Sequence, residues 1–117
     1  MTWAERAVQI WQVLIAAAHE RRTLTYRLLG DRIGLGANLL ADPLALVARY
    51  CAVKQWPPLT VLVVRAGDGR PDPRFTWASD PDGAREAVYE HDWFKLRPPS
   101  AADFALIDDI GIGASLD

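Results

Sequence analysis

Cysteine and histidine are the side chains best suited to nucleophilic, acid–base or metal chemistry near neutral pH, and this chain has one cysteine, Cys51, with two histidines, His19 and His91. A thiol nucleophile needs a base beside it. Cys51 instead shares the apolar stripe Leu44, Val47, Ala48, Cys51, the placement of a buried structural thiol. His91-Asp92 resembles a metal-binding dipeptide, but a zinc or iron site takes three or four ligands and only the distant His19 remains to contribute. Asp68, Asp72, Asp80 and Asp82 crowd a Pro- and Gly-rich stretch without calcium-loop spacing and read as turn and cap residues. The Gly-x-Gly pairs at Gly34, Gly67 and Gly111 lack the strand-to-helix context of a phosphate loop. No enzyme, cofactor or metal is therefore expected.

The chain has 117 residues, room for a single domain with a modest core. Half of its residues are apolar (50%) and 24% are charged, a globular balance rather than a disordered or rod-like one. Apolar runs are broken by charge or proline well short of a membrane span, and Glu5 precedes the first of them, so a cytoplasmic protein without a signal peptide is expected. Its net charge of −2 is unevenly spread. Residues 1–65 hold eight basic against four acidic side chains, and residues 66–117 hold five against eleven. Such asymmetry belongs either to an interaction surface or to a solvated exterior without a partner.

These residues need elements to place them. Thr2 and Glu5 have capping-box spacing, and Trp3, Ala7, Ile10, Trp11, Leu14 and Ala18 recur at steps of three and four, predicting a helix to about Arg21. Thr25 caps a short second helix that ends at Gly34, with Leu28, Leu29 and Ile33 inward. After a brief turn at Ala37 to Leu40, Asp42-Pro43 reads as the cap and first residue of a third helix, closed by Pro57-Pro58. The β-branched run Leu59 to Val64 predicts a buried strand, Gly67-Asp68-Gly69 a turn, and Arg74 to Trp77 the return arm of a hairpin. Asp80-Pro81 opens a further helix to about Phe94, with Ala84, Ala87, Val88 and His91 inward. Ser100 and Asp103 open the last, with Phe104, Ile107 and Ile110 inward and Gly111 to Asp117 fraying.

Helix, short helix, sharp turn, helix and hairpin is the order of a winged helix-turn-helix domain. The fold expected is thus α+β and winged-helix-like: three helices plus a β-hairpin over residues 1–78, and an acidic helical extension over 79–117 within the same domain. Trp11 with Leu14, the run Thr25-Tyr26-Arg27-Leu28-Leu29-Gly30-Asp31-Arg32-Ile33-Gly34, the proline-preceded Val63-Val64-Arg65 and the turn Asp68-Gly69 resemble the DNA-binding domain of the O6-alkylguanine alkyltransferases and alkyltransferase-like proteins. The resemblance spans about Ala7 to Arg70 and implies a winged helix that binds duplex DNA. That family keeps its nucleophile in a Pro-Cys-His-Arg segment, whereas this chain has no Cys or His between Ala52 and His91, so alkyl transfer is not expected.

Two functions remain. The first is a non-catalytic nucleic-acid-binding module, regulatory or adapter in role, with Arg27, Arg32, Asn38, Arg49, Lys54 and Arg65 as the phosphate or polar contacts. The third helix begins Asp42-Pro-Leu-Ala-Leu-Val, acidic and apolar, which argues against base-edge readout of the usual kind. The alternative is a protein-interaction module on the same scaffold, homodimeric or directed at another protein as in toxin neutralisation or phage defence, with Leu39, Leu40, Trp56 or Trp77 as anchors.

Overall fold

The first helix starts where its capping box predicts. Glu5 N–H donates to the Thr2 hydroxyl at 3.1 Å, and the Glu5 carboxylate accepts from the Thr2 amide at 2.8 Å. From this cap α1 runs over Trp3–His19, burying Ala7, Ile10, Trp11, Leu14 and Ala18 along one stripe. Trp3 departs from that expectation. It lies in the first turn, at the edge of the core, and is 38% exposed.

The computed structural model describes residues 1–73 and 78–110. After α1, the two-residue strand β1 (Leu24–Thr25) leads into α2 (Tyr26–Ile33), whose Leu28 amide donates to the Thr25 hydroxyl at 3.1 Å. Gly34 stops α2 in the left-handed region at φ 71°. A 3-10 turn at Ala37–Leu39 joins α2 to α3 (Ala41–Lys54). Leu40, not Asp42, occupies the N-cap of α3; Asp42 and Pro43 lie inside the first turn, where a carboxylate suits the positive helix end and a missing amide costs little.

The predicted six-residue strand is largely a 3-10 turn. Leu59–Leu62 coil, and only Val63–Val64 form β2, paired in parallel with β1 in the register Leu24↔Val63, Thr25↔Val64. The run is apolar without alternation because it is buried on every side, a pattern that does not specify a strand. Its backbone needs partners too. With β1 cut short by the start of α2, the segment satisfies itself locally, Val61 N–H donating to Pro58 C=O at 3.0 Å. Beyond β2 the chain reverses through a turn in which Gly69 N–H donates to Arg65 C=O at 2.8 Å and Arg65 N–H to Arg70 C=O at 2.9 Å, and Val64 makes an antiparallel bridge with Pro71. The expected return arm at Arg74 to Trp77 lies outside the described residues, as does the tail after Ile110.

The helix α4 (Pro81–Glu90) ends four residues before the predicted Phe94. The chain turns at His91 so that Trp93, in a 3-10 turn, can drop into the core and donate its indole N–H to Val88 C=O at 2.8 Å. Val88 is buried beneath it, Ala84 and His91 are partly covered, and Ala87 faces out. Ser100 and Asp103 cap α5 (Ala101–Ile110), with bonds of 2.9 and 3.2 Å between each backbone amide and the other's side chain. The result is an α+β fold, mostly helical, with five helices among the described residues and one small parallel sheet. No described helix is long and apolar enough to cross a membrane.

Trp11 stands at the centre of the core. It meets Tyr50 and Trp93 edge to face, with ring centroids 5.7 and 5.5 Å away, and Phe104 at 6.4 Å. Its buried indole N–H has no hydrogen-bond partner among the described residues. Cys51 of α3 is buried in the same cluster, and burial pushes its thiol up to about 12.

Candidate functional site

The parallel register decides which side chains can act together. Because Thr25 pairs with Val64, the first turn of α2 and the turn after β2 leave the sheet side by side, carrying Arg27 and Arg65 respectively. The Tyr26 hydroxyl ties the two segments by accepting from the Asp72 amide at 3.1 Å. Tyr26, Asn38, Leu44, Arg65 and Asp72 line a recess of about 330 Å³ between them. Asn38 and Arg65, separated by 27 positions in sequence, are thus brought to one place, and Arg27 follows the recess residue Tyr26 on α2, exposed.

Arg32 sits one and a half turns along α2, exposed, and lines a second recess of about 310 Å³ between α1 and α2. Arg49 and Lys54 belong to neither. Arg49 is partly buried in a recess with Trp3, Asp42 and Asp108, its Nε without a hydrogen-bond partner among the described residues; Lys54 lies over the Tyr50 ring at 5.6 Å, in a recess that also holds Arg97 and Asp103. Of the six residues picked out from the sequence, five therefore line four recesses rather than one, and Arg27 stands exposed on α2 outside all four.

Carboxylates offset several of the cations. Arg65 pairs with Asp68 at 2.8 Å, Arg22 with Glu20 at 3.4 Å, and Arg21 with Glu86 of α4 at 3.6 Å while its guanidinium covers Tyr89. The Arg70 backbone amide, and after it Arg65, hold the Asp68 carboxyl below the usual carboxylate range. Arg27 and Arg32 have no ion pair among the described residues.

Helix α3 offers little surface for reading bases. Pro43, Leu44, Leu46, Val47, Ala48, Tyr50 and Cys51 are buried, so the helix serves as the central core element, packed on α1 and α5. Of the anchors considered for a protein partner, Leu39 is exposed at 47%, Leu40 is buried, Trp56 is partly covered, and Trp77 lies outside the described residues. Among the described residues no three His, Cys, Asp or Glu side chains gather as a metal site requires. Two residues with a place at these recesses escaped the sequence reading as site residues: Tyr26, visible only as a motif residue, and Arg97, whose neighbour Lys54 is remote in sequence. No family model, curated protein or solved structure matches this chain.

Proposed function

We propose that this protein is a non-catalytic module that holds the phosphate backbone of duplex DNA, with α2 and α3 as the helix-turn-helix pair of a winged-helix-like domain and the Arg65–Arg70 turn as the start of the wing. The observation that carries the reading is the parallel register of β1 with β2, which starts α2, with Arg27 in its first turn, beside the segment that carries Arg65, while Arg27 has no ion pair among the described residues. Cations without a carboxylate partner are the ones whose counterions are free to be released onto a polyanion. The burial of α3 supports contact with phosphates rather than base edges, and binding of that kind is low in sequence preference and steep in salt.

The test is a titration of duplex DNA at two salt concentrations with the wild type and with the double variant Arg27→Glu/Arg32→Glu. Binding that weakens steeply with salt, and is lost in the double variant while the melting temperature holds, supports the reading. Retention unchanged by the double reversal overturns it and favours the protein-interaction role.

A further inference from the structure

The recess between α1 and α2 is built differently from the others. Val13, Ala16 and Ala17 of α1 face Leu24 and Leu28 across it, and the two alanines keep the helices from closing the gap with side chains. Leu28 remains 36% exposed at its edge. The sequence reading sends Leu28 into the core; the structure instead leaves it as a wall of this groove. At about 310 Å³ it reaches the lower end of the range of small-molecule sites, about 300–1,000 Å³, which are apolar concavities with a few placed polar groups.

The polar groups here have a sign. Arg32 and Arg22 line the groove against a single carboxylate, Glu20, which is engaged with Arg22 at 3.4 Å. Arg32 is left with no anionic partner among the described residues. A groove whose lining sets five apolar side chains beside an uncompensated guanidinium is complementary to a molecule with an apolar body and one anionic head. We propose that the α1–α2 groove binds a small amphipathic carboxylate, its chain lying along Val13, Ala17 and Leu28 and its carboxylate on Arg32. Guanidinium and carboxylate match as paired donors and acceptors, which favours this head group over a neutral one.

Octanoate is the probe, titrated into the full chain and followed by backbone amide chemical shifts, with octanol as the uncharged control. The expected result is saturable shifts confined to α1 and α2 around Ala16, Ala17 and Leu28, with octanol binding at least about tenfold more weakly. Two variants separate charge from shape. Arg32→Gln removes the head-group contact and weakens octanoate by about tenfold while leaving octanol unchanged. Ala16→Phe fills the groove at an exposed helical position, abolishing both, and leaves the duplex-DNA titration as in the wild type because no charge is altered. Shifts spread over the surface, no saturation, or octanoate affinity indifferent to Arg32→Gln would overturn the assignment. Since Ala16→Phe spares every basic residue, the groove and the nucleic-acid reading fail separately.

Discussion

Gly30 shows how far one residue can bind the fold to its sequence. It lies buried on α2, where a Cβ would collide with the Leu35 carbonyl oxygen and come within 3.3 Å of the Ala37 amide, both backbone atoms of the connection to α3. Alanine favours helix over glycine by about 1 kcal/mol, but displacing a backbone segment costs about 1–3 kcal/mol. Gly30→Ala is therefore expected to lower stability in urea denaturation, and a stabilised variant would show that the connection does not pass so close. Cys51 gives a second test at this scale. Its thiol titrates near 12 in the folded state against an ordinary value of 9.0, so above pH 9 the unfolded chain loses the proton first. The stabilisation is complete below that value and declines as pH rises toward 12. A Cys51→Ala variant should lose less stability between neutral pH and pH 11 than the wild type does, and the native thiol should resist aromatic disulfide reagents at pH 8 while the unfolded one reacts at once.

Elements with a local chemical signature were legible in the sequence, and those governed by tertiary packing were not. Thr2 with Glu5, Thr25 with Gly34, and Ser100 with Asp103 mark their helix ends because cap bonds are made within a few residues. Leu59–Leu62 misled because β-branched residues buried on all faces carry no period, and the choice between turn and strand fell to whether a neighbour could pair with them. The gathering of Asn38 with Arg65 was invisible for the same reason: it rests on a parallel pairing between Leu24–Thr25 and Val63–Val64, two residues on each side. The separation of Arg49 and Lys54 from them follows from the burial of α3, which an acidic, apolar helix start only hinted at. The last cap carries a prediction of its own. Ser100→Ala removes the acceptor for the Asp103 amide and should cost about 1 kcal/mol in chemical denaturation. Asp103→Asn acts through charge: the Ser100 backbone amide holds that carboxyl below its usual range, so its contribution is present above the unfolded value and is lost as pH falls through the folded one. The deficit of Asp103→Asn against the wild type should therefore shrink in acid; a deficit constant with pH would contradict this origin.

At the scale of the molecule, one core runs through the first three helices and the acidic segment that follows them. Phe104 and Ile107 of α5, Val88 of α4 and Trp93 between them are buried in the same cluster as Trp11, Leu14 and Leu44. Trp93 and Phe104 supply two of the rings around the central indole. By contrast, the ion pair Arg21–Glu86 that also joins the two parts is long and solvent-exposed, worth at most about 1 kcal/mol. Apolar packing rather than charge thus holds the acidic segment in place. Deleting residues 79–117 would strip four buried side chains from the core, at about 1.5–3 kcal/mol each, which sums to roughly 6–12 kcal/mol. Domains of this size are stable by roughly 5–15 kcal/mol, so the loss spans most of what is available. Residues 1–78 alone should therefore lack a cooperative thermal transition in far-UV circular dichroism and should bind a hydrophobic dye, whereas Glu86→Gln in the full chain should melt within a few degrees of the wild type. A truncated chain that melts sharply would mean that the first 78 residues close a core of their own, and that Trp11 can find other neighbours.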